Sequence, residues 1–188
     1  MATKPQAKLT YSDLLELYPE VDNVRRELID GELIVSPSPV KRHQAVVLEI
    51  GSAFLAYAKT SGGEAFAFPM DVYFSEDNVV EPDVIYVGPD RADSLEPRFL
   101  RTVTLVVEVS SPSTRRLELL RKRRLYERNA VPEYWYVDLE IDRIEIYRLE
   151  ADAYAAPVMM SRGHRITSPE LPGFGIQVDD VLGPEPVN

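Results

Sequence analysis

The hydrophobic residues of this chain recur with two periods, one typical of helices and one typical of strands. A stripe that includes His43 and Phe54 has helical spacing, which predicts a helix over residues 40–59. Similar spacing predicts a short N-terminal helix over residues 10–18 and a basic helix over residues 111–129. The chain is therefore expected to contain three main helices.

Alternating or continuous apolar runs predict the strands. ELIDGELIV (residues 27–35) is typical of a β-hairpin, because Asp30-Gly31 supplies the positive φ angles of a tight turn. Further strands are predicted over residues 64–74, 79–87, 102–110, 133–138 and 143–149, with a short one near Val158. This order of elements predicts an α/β fold, an α+β mixed sheet flanked by helices.

Length and composition indicate an ordinary soluble protein. The 188 residues are expected to form one domain, with residues 1–9 as a disordered tail. No apolar run approaches the roughly 20 residues that cross a bilayer, and the N-terminus lacks the apolar centre of a signal peptide. The absence of cysteine excludes disulfides and thiolate metal sites, and a cytoplasmic location is expected.

The charge is strongly acidic but unevenly distributed. A net charge of −10 counts against non-specific binding to nucleic acid, which depends on Lys and Arg contacts to phosphates. Seven of the 21 basic residues nevertheless lie between Arg115 and Arg128. This segment is either a phosphate-facing patch on an acidic body or a solvated helix face that offsets neighbouring acids.

Two carboxylates interrupt the most apolar strands of the chain. Asp83 lies in EPDVIYV, and Glu108 lies in LVVEV, where alternation places it on the face opposite Val107 and Val109. Burying a charge costs several kcal/mol unless it is paired or bound to a metal. One such residue is often part of a structural ion pair, whereas two on successive strands favour a shared site.

The basic helix carries residues that could complete this site. Glu118, Lys122 and Tyr126 are four residues apart and form one stripe. Glu118 and Lys122 could be only a surface ion pair, but Lys122 and Tyr126 could instead face the carboxylates. Asp83 and Glu108 would then hold Mg²⁺, with the Val109 carbonyl as third ligand, while Lys122 orients water and stabilises developing charge on a phosphodiester. The leading hypothesis is a metal-dependent nuclease.

These motifs resemble those of a known family, the bacterial putative restriction endonucleases of the PD-(D/E)XK nuclease superfamily. The similarity extends from about Tyr11 to Leu182, and it is specific only when its motifs are taken together. The matching segments are ELIDGEL (27–33), His43, EPDV (81–84), EVSSPST (108–114), Glu118, Lys122, Tyr126 and VPEYWYVD (131–138).

The resemblance implies a restriction-endonuclease-like core with an added N-terminal helix and β-hairpin. It implies Asp83 and Glu108 as the metal-binding pair, Mg²⁺ as cofactor with Mn²⁺ as substitute, and DNA as the expected substrate. The superfamily's lysine two residues after the glutamate is replaced by Ser110, so the positive charge would come from Lys122 on the helix. The resemblance also implies supporting roles for Ser110, Tyr126, Glu118, His43 and Glu27.

Several alternatives remain open at the level of sequence. The chain could be a catalytically degenerate nuclease fold that serves as an interaction module, or a metal-dependent phosphoesterase acting on another substrate. His43 could be a packing residue rather than part of the site, and Trp135 is expected in the core rather than in a base-stacking platform. Asp71 could approach the metal or be solvated, and Asp138 is expected to close its strand. A homodimer would suit duplex cleavage, and no membrane partner is expected.

Overall fold

A computed structural model describes residues 8–19, 22, 24–36, 38–67, 69–94, 98–110 and 117–184, without the side chains of residues 92–94, 117 and 118. Most of the predicted N-terminal tail and the predicted start of the basic helix lie outside these residues. Within them, runs of strands are separated by single helices.

The structure contains four α-helices, a short 3₁₀-helix and fourteen strands in the described residues. The helices are α1 (Tyr11–Leu17), α2 (Lys41–Ser61), α3 (Leu117–Arg128) and α4 (Val178–Leu182), and the 3₁₀-helix covers Pro89–Ser94. The strands are β1 (Arg25–Ile29), β2 (Glu32–Ser36), β3 (Glu64–Phe66), β4 (Asp71–Ser75), β5 (Asn78–Val80), β6 (Val84–Val87), β7 (Phe99–Leu100), β8 (Leu105–Val109), β9 (Glu133–Asp138), β10 (Arg143–Glu150), β11 (Ala153–Tyr154), β12 (Val158–Ser161), β13 (Arg165–Ile166) and β14 (Ile176–Gln177).

Two mixed sheets contain twelve of these strands, and β13 and β14 form a separate antiparallel pair. The larger sheet has the order β11-β10-β9-β8-β6-β3, with β12 also paired to β10, and β8 and β9 run parallel at its centre. The smaller sheet has the order β2-β1-β5-β4-β7. A parallel β8–β9 pair requires a crossover connection, and α3 lies in that connection.

The larger sheet is covered by α2 on one face and by α3 on the other. On the α2 face, Phe54 packs against Trp135 with ring centroids 5.4 Å apart. On the α3 face, Leu125 and Tyr126 pack with Val106 and other buried residues. The predicted mixed α/β fold, with a sheet flanked by helices, is confirmed.

The sequence prediction was wrong where it joined strands across the two sheets. Residues 64–74 form β3 and β4 rather than one strand, and residues 79–87 form β5 and β6. In each pair the first and second strands belong to different sheets. Both breaks contain a proline, Pro69 or Pro82, which has no N–H to donate to a strand ladder.

The N-terminal elements form as their local sequence predicts. Thr10 caps α1 by accepting from the Asp13 N–H, and the Asp13 carboxylate accepts in return from the Thr10 N–H. Asp30 and Gly31 adopt φ angles of 55° and 77° in the turn between β1 and β2. No helix in the described ranges is long and apolar enough to span a membrane.

Candidate metal-dependent active site

Asp83 lies in the connection between β5 and β6, where the chain passes from the smaller to the larger sheet. Its N–H donates to the Val107 carbonyl at 3.1 Å, and its Oδ2 accepts from the Val109 N–H at 2.7 Å. Oδ1 lies 2.8 Å from Arg25 Nη1, and Oδ2 lies 3.2 Å from His43 Nε2. The break in the predicted strand therefore fixes this carboxylate against the end of β8.

Glu108 lies on β8, and its side chain points toward α3. Lys122 Nζ lies 3.0 Å from Glu108 Oε1 and 3.1 Å from Oε2. The Tyr126 hydroxyl donates to Oε1 at 2.5 Å. Lys122 also contacts Glu27 Oε1 at 2.7 Å, so its ammonium group bridges two buried carboxylates.

The β-hairpin supplies two charged side chains to this cluster. Arg25 and Glu27 are two residues apart on β1 and therefore share one face of the strand. Arg25 pairs with Asp83, while Glu27 pairs with Lys122 and accepts from the Glu81 N–H at 2.8 Å. The hairpin thus adds one cation and one anion to the residues of the larger sheet and α3.

Burial and neighbouring charges set the protonation states. Burial raises the pKa of Glu108, Lys122 opposes this effect, and the Asp83 carboxylate adds to it. Burial would also raise the pKa of Asp83, but Arg25, His43 and the Val109 N–H together hold it well below its usual range. Burial opposes the charge on Lys122, yet its two carboxylate partners raise its pKa. Lys122 is therefore an ammonium ion at neutral pH.

The other residues proposed from sequence fall into two groups. His43 and Glu27 contact the cluster directly, as described above. The Ser110 hydroxyl instead accepts from the Leu139 N–H at 2.9 Å, and the Ser110 N–H donates to the Val137 carbonyl at 2.8 Å. Ser110 therefore joins the ends of β8 and β9. The Glu118 side chain lies outside the described part of the structure, so its supporting role stays a prediction.

Arg25 is the member of the cluster that the sequence analysis missed. Alternation within RRELI places it on the same face as Glu27, which was identified, so this spacing could have revealed it. Its side chain is 25% exposed, whereas that of Asp83 is 6% exposed. Arg25 therefore covers the solvent side of the carboxylate.

The remaining candidates have structural contacts. Asp71 accepts from the Tyr11 hydroxyl at 2.6 Å, and Asp138 accepts from the Glu140 N–H at 2.9 Å in the turn after β9. Trp135 is fully buried in the core, as expected.

The basic character of α3 is partly offset by the hairpin. Arg121 lies 2.9 Å from Glu32, and Arg128 lies 2.6 Å from Asp30. These pairs support the interpretation of a helix face that neutralises neighbouring acids, because two of its guanidinium groups already have carboxylate partners.

The carboxylates of Asp83 and Glu108 are chemically suited to bind a hard divalent cation, but they do not by themselves complete its coordination shell. Asp83 and Glu108 supply carboxylate oxygens, the ligands that Mg²⁺ prefers, and the charge of Asp83 raises the pKa of Glu108. A cation between them would relieve this repulsion. Among the described side chains, no three His, Asp or Glu residues are grouped as a ready-made metal site. Mg²⁺ commonly uses one or two carboxylates and completes its shell with water and phosphate, so the residues remain compatible with it.

Comparisons with known proteins show the fold and the family of the chain. A crystal structure described as a putative nuclease belonging to DUF820, from Anabaena variabilis, superimposes with a TM-score of 0.78 at 18% identity and covers 93% of this chain and 97% of its own. That similarity shows the fold. No curated protein matches the sequence. The model of the Uma2 family, described as "Putative restriction endonuclease", matches residues 11–179, and the chain therefore belongs to this family.

Proposed function

We propose that the protein is a Mg²⁺-dependent endonuclease that hydrolyses phosphodiester bonds of nucleic acid, with DNA as its substrate. The observation that carries this proposal is the contact between Lys122 and Glu108, at 3.0 and 3.1 Å. It puts an ammonium group beside the candidate metal ligand although Ser110 occupies the strand position where the superfamily has lysine. Family membership supports the same reaction class.

Asp83, Glu108 and the Val109 carbonyl would hold the metal ion. When bound, Mg²⁺ supplies a Lewis acid for the phosphoryl oxygens, and Mn²⁺ can take its place. The chain fixes these ligands in advance, because the Val109 N–H holds Asp83 and the Tyr126 hydroxyl holds Glu108. Little reorganisation of the carboxylates is then needed when substrate arrives.

Lys122 acts as a fixed positive charge rather than as a general base. Its raised pKa keeps it protonated, so it can donate hydrogen bonds to a water molecule or a phosphoryl oxygen but cannot accept a proton. In hydrolysis, the water oxygen bonds to phosphorus while the bond to the leaving sugar oxygen breaks. The attacking water gives its proton to solvent and the leaving sugar oxygen takes one up from solvent, because Glu108 as a metal ligand and Lys122 as an ammonium ion are not available to accept a proton. Positive charge at Lys122 then stabilises the added negative charge of the transition state.

Two isosteric variants test the proposal. Glu108→Gln and Asp83→Asn keep the shape of each side chain and remove its charge, so each should abolish Mn²⁺ binding and DNA cleavage while the circular dichroism spectrum is unchanged. Lys122→Met should reduce turnover more than metal affinity. Unchanged cleavage in all three variants would refute the assignment. A duplex offers two strands to cut, so a homodimer is expected, and sedimentation of the protein with and without duplex tests it.

One observation favours a different function, an interaction module on a degenerate nuclease fold. Each candidate metal ligand already has a cation from the chain, Arg25 on Asp83 and Lys122 on Glu108. If these pairs are permanent, the protein should bind no Mn²⁺ even in the presence of DNA. Binding that is lost in Glu108→Gln would instead support the endonuclease. An enzyme acting on small phosphoesters would bind metal but lack salt-dependent affinity for DNA.

A further inference from the structure

The charged cluster is nearly but not fully neutral. Among the side chains joined by direct ion pairs, three carboxylates and two cations leave a formal charge of −1, without counting His43. These groups are Glu27, Asp83, Glu108, Arg25 and Lys122. Adding a divalent cation alone would change −1 to +1, and the further addition of one phosphodiester anion would give zero. A buried site disfavours net charge, so the cluster is suited to receive one cation and one phosphodiester together.

The two cations of the cluster differ in their freedom to change partner. Lys122 is 8% exposed and is held by Glu27 and by both oxygens of Glu108. Arg25 is 25% exposed and makes its ion pair with Asp83 through Nη1 alone. Arg25 thus has a single direct partner to exchange, although Glu27 and Glu108 also attract it from farther away, whereas Lys122 would have to abandon direct contacts with two buried carboxylates.

We propose that Arg25 is a phosphodiester-binding residue that exchanges partners, pairing with Asp83 in the free protein and with the substrate phosphate when a divalent cation occupies the carboxylates. Guanidinium groups suit this role because their planar donors match both carboxylate and phosphate oxygens. Arg25 thus competes with the cation when no substrate is present and assists it when substrate is present. This inference rests on the proposed function, because it needs a cation at Asp83.

The exchange predicts a coupling between two binding events. The cation alone must displace Arg25 from Asp83, which weakens its binding. With a phosphodiester present, the displaced guanidinium gains a new partner, so phosphate and cation should each strengthen the binding of the other by the same factor. A merely structural Arg25 would lower cation affinity without producing this coupling.

The test is calorimetric titration of the full chain with Mn²⁺, first alone and then with a short DNA duplex. The duplex carries phosphorothioate linkages that resist cleavage. The heat of Mn²⁺ binding to the duplex alone is subtracted. A duplex with neutral methylphosphonate linkages is the matched probe. In the wild type, the anionic duplex should raise Mn²⁺ affinity about tenfold, the equivalent of about 1.4 kcal/mol. The neutral duplex should leave it unchanged.

Arg25→Gln should raise the Mn²⁺ affinity of the free protein and reduce the enhancement of that affinity by duplex. Without duplex it should bind Mn²⁺ about tenfold more tightly, since no guanidinium competes for Asp83, and the enhancement by duplex should fall to about twofold or less. Arg25→Lys keeps the charge without the planar fork and should restore part of the coupling. Arg26→Gln is the control, because Arg26 is the next residue on β1 and pairs with Asp22 instead, so it should behave as the wild type.

The outcomes separate this inference from the proposed function. Wild-type protein that binds no Mn²⁺ with or without duplex would overturn both. Mn²⁺ binding that depends on Glu108 but shows the same duplex enhancement in Arg25→Gln would leave the endonuclease standing and overturn the exchange. Equal enhancement by the neutral duplex would also overturn it. If circular dichroism shows that Arg25→Gln is unfolded, Arg25→Lys is compared with the wild type instead. Coupling in Arg25→Lys as strong as in the wild type would refute the role of the planar guanidinium group.

Discussion

Replacing Lys122 by methionine should destabilise the protein strongly, because this ammonium group is the shared partner of two buried carboxylates. Glu27 and Glu108 are 1% and 6% exposed at their side chains, and both lie within 3.0 Å of Lys122 Nζ. Methionine fills a similar volume, so the variant tests charge rather than packing. After the change, Glu108 retains only the Tyr126 hydroxyl among the partners described above, and Glu27 retains the Glu81 N–H.

The expected loss is about 3–5 kcal/mol, the usual cost of leaving one member of a buried ion pair uncompensated. For a chain of this length, each kcal/mol lowers the melting temperature by about 2–4 °C, so the melting temperature should fall by roughly 6–20 °C. Protonation of a carboxylate limits the loss. The pKa of Glu108 is already raised in the folded state, and removal of Lys122 should raise this pKa further.

The sign of the pH dependence follows from that raised pKa. A carboxyl group whose pKa is higher in the folded than in the unfolded state binds more protons when folded, so it favours folding at low pH and opposes it as pH rises. The deficit of Lys122→Met relative to wild type should therefore be greatest near neutral pH and should shrink toward pH 5. Urea unfolding followed by circular dichroism at several pH values measures this difference.

A second substitution checks the cause. Adding Glu27→Gln to Lys122→Met removes one of the two unpaired charges and leaves an amide oxygen that can still accept from the Glu81 N–H. The double variant should recover stability relative to Lys122→Met, whereas Glu27→Gln alone should be destabilising because it removes a partner from Lys122. Additive losses in the double variant would refute the reasoning, as would a Lys122→Met deficit that is independent of pH.

Three further changes test other parts of the structure. Tyr126→Phe should cost about 1.5 kcal/mol in urea unfolding through loss of the bond to Glu108, and it should also weaken Mn²⁺ binding, because the hydroxyl holds this metal ligand in place; unchanged stability together with unchanged Mn²⁺ affinity would contradict this. Asp142→Asn should cost about 1–2 kcal/mol at neutral pH, because Arg42 and Arg162 outweigh burial and lower the pKa of Asp142. That deficit should shrink as the pH falls below the ordinary aspartate pKa toward the lowered pKa of the folded state, because the wild-type carboxylate then becomes protonated, and a deficit independent of pH would argue against an ionic cause. Gly31→Ala should cost about 1–2 kcal/mol in thermal unfolding, because alanine is strained at a φ of 77°, and an unchanged melting temperature would show that the turn adapts.

Much of the fold follows from local sequence signals. The hairpin formed because Asp30-Gly31 can adopt positive φ, and α2 formed because its apolar stripe matches the period of a helix. The parallel β8–β9 core was predictable for another reason. Both strands are nearly continuous apolar runs, as strands covered on two faces usually are.

The division into two sheets was not predictable from the same signals. Within 64–74 apolar residues continue across the break, and within 79–87 apolar runs lie directly on both sides of Glu81-Pro82-Asp83, so the hydrophobic pattern alone joins the strands. Only Pro69 and Pro82 mark the points where a ladder must stop. The short C-terminal elements β13, β14 and α4 were missed because each has five residues or fewer, too few to show a period.

The candidate site depends on this division. Pro82 ends the ladder beside Asp83, which frees the chain to cross from the smaller sheet to the larger one and turns the carboxylate toward the end of β8. Directly before this crossing, β1 is the neighbour of β5 in the smaller sheet, with Leu28 paired to Val79. Arg25 and Glu27 then reach the carboxylates from an element more than 50 residues earlier in the chain. A strand that continued straight through residues 81–83 would keep Asp83 in the β6 ladder and would not link the hairpin to the larger sheet. The error in the predicted strand and the origin of the charged cluster therefore have one cause, the proline-containing connection between the two sheets.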